Sequence, residues 1–115
     1  MDFTGTAAAS FSASHVVEKH PRCGRLHGHR WRVAVTIAAG QDPATGELAG
    51  LPELANAVET FCSELDREHL NDMLLGSSPT PAGVALVIRE RLAMHILGIE
   101  SVSVWMDEVG VTIRA

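Results

Sequence analysis

Apolar and polar side chains alternate along the first third of the chain. In residues 3–17, Phe11, Ala13 and His15 fall on one face and serines occupy the positions between them, which is typical of a half-buried strand. Residues 29–38 repeat this alternation. The segment between the two runs contains proline and glycine, and these residues favour loops. The pattern therefore predicts two strands joined by a loop.

The apolar period changes to between three and four residues farther along the chain. This spacing predicts an amphipathic helix, formed around Leu51, Leu54, Ala55, Val58, Phe61, Cys62 and Leu65. A second helix is predicted to begin at Thr80, whose side chain suits the N-cap, with Pro81 at the first helical position. Gly98 suits the position just after that helix ends. Residues 71–78 are predicted to form a loop.

The predicted order of elements is ββααββ, because two short alternating runs near residues 102–105 and 111–113 close the chain. This order indicates an α+β fold, with a four-stranded antiparallel sheet and two helices on one face, built as a single domain over residues 1–115. Four strands cannot close into a barrel alone, and they leave edges that can pair with another chain. We therefore expect a homo-oligomer.

Composition limits the classes of function. The 115 residues are 46% hydrophobic and 20% charged, with a net charge of −5, which argues against a binder of nucleic acid or of anionic membranes. No apolar run approaches the ~20 residues of a membrane span, and the first residues lack the pattern of a signal peptide. Two cysteines give no disulfide framework. We expect a cytoplasmic protein.

Four of the six histidines lie between positions 15 and 29, and three of them, His15, His27 and His29, are candidates for one site. His27 and His29 are two positions apart, so an extended backbone turns both side chains to one face. A hairpin of the two strands would bring His15 beside them. Three neutral imidazoles with an open fourth position are typical of a catalytic zinc site, so Zn²⁺ is the expected cofactor. The alternative is that backbone carbonyls satisfy these histidines.

Cys23 lies four residues before His27, within a segment that contains arginines. Nearby cations lower the pKa of a thiol, so Cys23 could be a metal ligand or a reactive thiolate, or else an unreactive loop thiol. Basic residues surround it, namely Lys19, Arg22, Arg25, Arg30 and Arg32. In an acidic protein this concentration indicates a site for an anion such as phosphate, with a solvated loop face as the alternative. Cys62 lies on the apolar stripe of the first helix and is expected to be a small core residue.

These motifs together resemble a known enzyme family. The segments Phe11-Ser12-Ala13-Ser14-His15 and Cys23-Gly24-Arg25-Leu26-His27-Gly28-His29 are similar to motifs of the 6-pyruvoyltetrahydropterin synthase family. The second segment most resembles the 6-carboxytetrahydropterin synthase branch. The resemblance continues, in the same order, through Asp42-Pro43-Ala44-Thr45-Gly46, Leu65-Asp66, Leu70-Asn71-Asp72 and Pro79-Thr80.

The resemblance implies a fold, a cofactor and a reaction. It implies the tunnelling fold, assembled into trimers with a continuous barrel and paired into hexamers. It implies zinc on His15, His27 and His29, with Cys23 as the catalytic thiolate and an Asp-His pair as the second acid-base group. The implied substrate is 7,8-dihydroneopterin triphosphate, which becomes a 6-carboxy- or 6-pyruvoyl-tetrahydropterin. The carboxy branch implies a place in queuosine biosynthesis.

The chain departs from the family pattern at the second acid-base group. Asp66 is retained, but Arg67 stands at the histidine position, and arginine stays protonated near neutral pH. His69 follows three residues after Asp66, and on a helical turn these side chains would be neighbours. His69 is therefore the candidate replacement, with a helix-end histidine as the alternative.

Two further departures affect substrate recognition and the second helix. Met106 stands where the family has a glutamate that anchors the pterin ring. Asp107 or Glu108 could replace that glutamate if the strand slipped or bulged by one residue, so both are candidate substrate-binding residues together with Arg25. Ala82 stands where the family commonly has glutamate after Pro-Thr.

Three functions remain open at this point. The first is a zinc-dependent lyase, or synthase, acting on the pterin triphosphate. The second is a zinc lyase of the same fold that acts on another phosphorylated small molecule, which would explain Met106. The third is a catalytically silent, zinc-stabilised oligomer, which would explain Arg67 and Met106 together. The hypothesis of a silent oligomer does not explain the presence of Cys23 and the arginine cluster.

Overall fold

Two long strands form the centre of the structure, a computed structural model that describes residues 3–17 and 25–115. Strand β1 (Phe3–His15) pairs antiparallel with strand β2 (His27–Ala39) over their full lengths. The register places His15 opposite His27 and Ala13 opposite His29. The predicted hairpin is therefore confirmed, and it ends at the histidines.

One face of the sheet is buried. The side chains of β1 and β2 alternate between core and surface as the sequence pattern predicts, and Trp31 is fully buried. The Trp31 ring stacks on Phe11 with centroids 5.8 Å apart. His15 lies on this same face and is only 2% exposed, so the hydrophobic core extends to the edge of the histidine group.

Two helices cover the buried face. Helix α1 (Leu51–Leu65) packs against β1, with Leu54, Val58, Phe61, Cys62 and Leu65 buried. Helix α3 (Pro81–Ala93) packs against strand β4 (Ile99–Met106). Thr80 is the N-cap of α3, and its Oγ1 accepts a hydrogen bond from the Gly83 amide at 3.2 Å. Both predicted helices are thus present, and they share one hydrophobic core with the sheet.

The prediction of four antiparallel strands and two helices was too simple. Two further short strands, β3 (Glu68–His69) and β5 (Thr112–Arg114), complete a five-stranded mixed sheet in the described chain, in the order β3-β1-β2-β4-β5. Strand β3 runs parallel to β1, and β5 is antiparallel to β4. A one-turn helix α2 (Leu70–Met73) occupies part of the predicted loop. The open sheet keeps the α+β class and leaves most of the outer edge of β1 unpaired within the described residues.

The backbone conformation of Arg67 directs the chain into the additional strand β3. This residue adopts a left-handed backbone with φ of 64°, unlike every other described non-glycine residue. Its amide donates to the Ser12 carbonyl at 2.6 Å, and the Asp66 Oδ1 atom accepts from the Ser12 amide at 2.8 Å. The chain therefore leaves α1 by turning sharply onto the edge of β1.

The end of α3 also differs from the prediction. The helix ends at Ala93, and Gly98 does not follow it directly. Gly98 has φ of 76° and leads into β4, where a Cβ atom would lie 2.4 Å from the Ala38 carbonyl oxygen. Gly98 thus serves a close approach between strands rather than a helix end. In the part of the chain that is described, no helix has the length and apolarity needed to cross a membrane.

Candidate functional site

Three histidines converge at the end of the β1–β2 pair. The ring centroid of His15 lies 4.4 Å from that of His27 and 5.1 Å from that of His29, and the other two rings are 4.7 Å apart. One nitrogen of each ring lies within 4.8 Å of the others. The strand register produces this cluster, because it places His15 and His27 opposite each other and His29 two positions farther along β2, on the same face.

Backbone carbonyls set the proton positions on two of the rings. His15 Nδ1 lies 2.6 Å from the Pro79 oxygen, and His27 Nδ1 lies 2.5 Å from the Arg25 oxygen. A carbonyl only accepts, so each Nδ1 carries the proton and each Nε2 keeps a free lone pair. Satisfaction by backbone carbonyls, the alternative use, thus accounts for one nitrogen of each of these two rings and leaves the lone pair of the other nitrogen for a different partner.

The free nitrogens fit a metal ion. Within the described residues, the Nε2 atoms of His15 and His29 are buried and have no hydrogen-bond partner. A buried polar atom without a partner is costly, and coordination of a cation removes that cost. Burial is the largest cause that lowers the pKa of His15, followed by the positive charges of neighbouring histidines. The neutral ring, which is the form that binds metals, is therefore favoured, and the three histidines could hold a metal ion.

Part of the predicted site lies outside the described residues. Cys23, Lys19 and Arg22 fall in residues 18–24 and lie outside the residues that the structure describes. Arg25 is described, and its side chain is exposed while its carbonyl accepts the bond from His27. The predicted role of Arg25 in substrate binding stays a prediction, and its backbone has a separate use in the histidine cluster.

The sequence predicted that Asp66 and His69 lie on one helical turn, but in the structure they do not. Helix α1 ends at Leu65, and Asp66 already has an extended backbone. The Asp66 carboxylate is bonded to the Ser12 amide, and His69 Nδ1 lies 2.9 Å from the Ser14 hydroxyl. Both side chains therefore lie along the outer edge of β1, two residues apart in its register.

Met106, at the end of β4, and Asp107 and Glu108, which follow it, have different surroundings. Met106 is buried opposite Trp31, so its side chain belongs to the core. Asp107 makes a two-bond ion pair with Arg32 at 2.8 and 3.1 Å, and the guanidinium holds the pKa of Asp107 below its ordinary value. Asp107 and Glu108 both follow the last residue of β4. The shift in the pairing register between β2 and β4 lies far from them, between Thr36 and Ile37. A slipped or bulged strand end is therefore not needed to expose them.

Glu108 makes a contact that the sequence did not indicate. Its Oε2 atom lies 3.5 Å from His29 Nδ1, within ion-pair distance, and no hydrogen bond to that nitrogen is formed among the described residues. A carboxylate behind a metal-binding histidine orients the ring and raises its basicity. Nothing in the sequence indicates the pairing of Glu108 with His29, because it depends on how the turn after β4 folds over β2. The contact of His15 with the Pro79 carbonyl could not be predicted from the sequence either, since every residue has a backbone carbonyl that can accept a hydrogen bond.

We expect the substitution Glu108→Ala to weaken metal binding by about 10-fold, the lower end of the effect of losing an outer-shell partner. Equilibrium competition with a chromophoric chelator measures the dissociation constant. Asp107→Ala is the matched control, because it removes the same charge from the neighbouring position and contacts Arg32 instead of a histidine. Equal dissociation constants for the two variants would contradict the role of Glu108.

The chain is similar to known proteins both in sequence and in fold. Residues 4–114 match the family model described as 6-pyruvoyl tetrahydropterin synthase. A putative 6-carboxy-5,6,7,8-tetrahydropterin synthase of Archaeoglobus fulgidus is 31% identical over 101 residues, covering 88% of this chain and 85% of that protein. The 6-carboxy-5,6,7,8-tetrahydropterin synthase of Synechocystis is 32% identical over 102 residues, covering 83% and 79%.

Solved structures agree with the predicted fold. The 6-pyruvoyl tetrahydropterin synthase of Caenorhabditis elegans superposes with a TM-score of 0.77 at 21% identity, covering 98% of this chain and 95% of that one. The enzyme of Plasmodium falciparum gives a TM-score of 0.66 at 12% identity, with 97% and 98% covered. These likenesses confirm the tunnelling fold. Because the family model spans nearly the whole sequence and two relatives exceed 30% identity, the chain belongs to the 6-pyruvoyl tetrahydropterin synthase family.

Proposed function

We propose that this protein is a zinc-dependent lyase that converts 7,8-dihydroneopterin triphosphate to a 6-carboxy-tetrahydropterin, or to the 6-pyruvoyl product. The observation that carries the proposal is the convergence of three histidines, of which His15 and His29 have buried Nε2 atoms without a hydrogen-bond partner among the described residues. Membership of a family of pterin synthases supports the substrate class. The names of the two relatives favour the carboxy product.

The chain's own residues would divide the work of this reaction. His15, His27 and His29 would hold Zn²⁺, which as a Lewis acid lowers the pKa of hydroxyl groups bound to it. Cys23 would move a proton at the substrate side chain as a thiolate. His69 would serve as the second acid-base group, because its Nδ1 is engaged by Ser14 while its Nε2 remains for proton exchange. Asp66 would keep this edge of β1 in place through its bond to Ser12.

Replacing Cys23 with alanine should lower kcat by about 10²- to 10⁴-fold, the usual contribution of a positioned proton-transfer group. Zinc content should stay at one ion per subunit, since the three histidines remain. The assay follows dihydroneopterin triphosphate with zinc-loaded protein and identifies products by mass spectrometry.

Cys62→Ala is the matched control for this substitution. Cys62 is buried in α1, and burial raises the pKa of its thiol to about 12, so we expect kcat close to that of the unmodified protein. Loss of turnover in both variants, or in neither, would contradict the assignment of Cys23. Zinc binding without any turnover of the pterin would instead indicate a silent zinc-binding oligomer or another substrate.

A second candidate is a lyase of the same fold that acts on a different phosphorylated small molecule. Met106 favours it, because a buried thioether at the end of β4 cannot accept the paired hydrogen bonds that a ring amide and amine offer to a carboxylate. Turnover of the pterin triphosphate by unmodified protein would exclude this candidate as the main activity. Product identification after incubation with other phosphorylated metabolites would support it.

We also propose that the protein works as a homo-oligomer, a trimer or hexamer, in the cytoplasm. The long outer edge of β1 supports the assembly, because only Ala13 and Ser14 pair with β3 within the described residues. An unpaired edge of this length offers backbone groups to a strand of another subunit. Neither nucleic acid nor a membrane is proposed as a partner.

A further inference from the structure

A groove separates helices α1 and α3. Helix α1 packs against β1 and β2, whereas α3 packs against β4 and β5, and the groove lies between the two helices. Its volume of about 750 Å³ is within the range of binding sites. Within the described chain, none of its lining residues belongs to the histidine cluster or to β1, so neither the proposed chemistry nor the proposed assembly uses it. Its apolar lining comprises Ala57, Phe61, Leu92, Met94 and Ile96.

The segment after α3 leaves two large apolar side chains in solvent beside this groove. Met94 lines the groove and is 77% exposed. Leu97 is 89% exposed, and together with Ile96 it lines a neighbouring depression at the end of the sheet. Single exposed apolar residues are common, but an exposed patch that adjoins an apolar groove is typical of an interaction site. The groove and these side chains therefore form one apolar surface that could be covered by a partner.

Helix α1 makes one rim of the groove acidic. It contains three glutamates and no basic residue. Glu53 and Glu64 line the groove, and Glu59 lies in a depression that adjoins it on α1. Arg91, on the opposite rim, bonds to Glu64 at 2.6 Å and lies over the Phe61 ring, 5.3 Å from its centroid. Glu53 and Glu59 belong to no ion pair among the residues that the structure describes, so two carboxylates of this rim are not neutralised.

We propose that the groove between α1 and α3 docks an amphipathic helix of another protein, with apolar side chains on one face and lysine or arginine beside them. The apolar side chains would pack against Phe61 and Met94, and the cations would face Glu53 and Glu59. An apolar groove with a charged rim is how proteins recognise such helices. The charge of the rim favours a cationic segment over an acidic one, because complementary charges steer and orient the partner.

The test uses a fluorescently labelled model peptide of leucine and lysine at helical spacing. Its anisotropy is followed during titration with the full chain at physiological ionic strength. We expect saturable binding in the micromolar range, and binding at least about 10-fold weaker for the matched peptide of leucine and glutamate, because like charges would then face each other. No saturable binding of the lysine peptide, or equal affinity for both peptides, would overturn the proposal.

An acidic protein attracts cations over its whole surface, so the apolar contact needs its own variant. Met94→Gln keeps the length of the side chain and should weaken binding of the lysine peptide by about 10-fold, the scale expected for burial of a methionine side chain. Leu75→Gln is the matched control, because Leu75 is 85% exposed in the segment after α2 and does not line the groove. Equal affinities of the two variants would overturn the proposal.

The acidic rim is tested by replacing Glu53 and Glu59 together with glutamine. We expect binding about 10-fold weaker and less dependent on salt, because charges at the rim of an interface act in this way. The control combines Glu47→Gln with Asp72→Asn, which removes two negative charges from exposed positions outside the groove. The same loss of affinity in both double variants would show attraction by net charge alone and would overturn the docking site.

Sedimentation equilibrium of the protein without peptide tests a different occupant. We expect Met94→Gln to leave the state of assembly unchanged, because the assembly proposed above uses the edge of β1. Self-association that Met94→Gln weakens would assign the groove to a second copy of this chain. That result would overturn the proposal of a cationic partner.

Discussion

Substitution of His15 by asparagine should weaken zinc binding by about 100-fold or more, beyond the range seen when only an outer-shell partner is lost. Asparagine can still donate to the Pro79 carbonyl, so the buried hydrogen bond of this position is preserved. It offers no nitrogen where His15 Nε2 stands. His15 is also the most buried of the three histidines, so solvent cannot easily supply a replacement ligand on that side.

The measurement can use the protein's own fluorescence. The Trp31 ring lies 5.0 Å from the ring of His15 and 6.2 Å from that of His29, so metal binding should change the emission of this residue. Trp105→Phe, introduced in both proteins, removes the second tryptophan. His95→Ala is the control, because His95 is exposed near the end of α3. Unchanged zinc affinity in His15→Asn would reject the three-histidine site.

Gly83→Ala should destabilise the protein by about 3 kcal/mol or more, the upper range of overpacking in a dense interior. Gly83 lies in the first turn of α3, where a Cβ atom would stand 1.7 Å from the Ser78 carbonyl oxygen and 2.6 Å from its Oγ. The turn before the helix would have to move. Helix propensity alone predicts the opposite sign, a gain of about 1 kcal/mol, so the experiment decides between the two effects.

Urea unfolding followed by circular dichroism measures the change in the free energy of unfolding. Gly40→Ala serves as control, because nothing lies within 4 Å of the position of its Cβ and its φ is not positive. We expect it to change stability by less than about 0.5 kcal/mol, as surface substitutions usually do. Increased stability of Gly83→Ala would show that the turn yields easily and that the close contact is unimportant.

The sequence predicted the centre of the site because one periodicity governs it. Alternation in β1 and β2 put His15, His27 and His29 on the buried face, and antiparallel pairing then brought them together. Nothing beyond side-chain parity and a hairpin was needed. The same reasoning recovered the core positions of α1 and the N-cap of α3.

The surroundings of the site could not be predicted in this way. Asp66 and His69 have helical spacing, but the bond from Asp66 to Ser12 ends the helix and directs the chain along β1. Such a side chain to backbone bond spans 54 positions and leaves no local pattern. The pairing of Glu108 with His29 depends equally on a turn whose path is set by tertiary contacts.

The bond between His15 and Pro79 joins positions 64 residues apart. Next to it, Asn71 makes two hydrogen bonds to the backbone of Val16. A nascent chain that ends before residue 79 would already contain all three histidines, yet it would lack the acceptor that selects the tautomer of His15. Contacts of such sequence separation form late in folding. The centre is therefore completed only after α3 has begun to dock, so correct metal uptake would follow folding rather than guide its first steps.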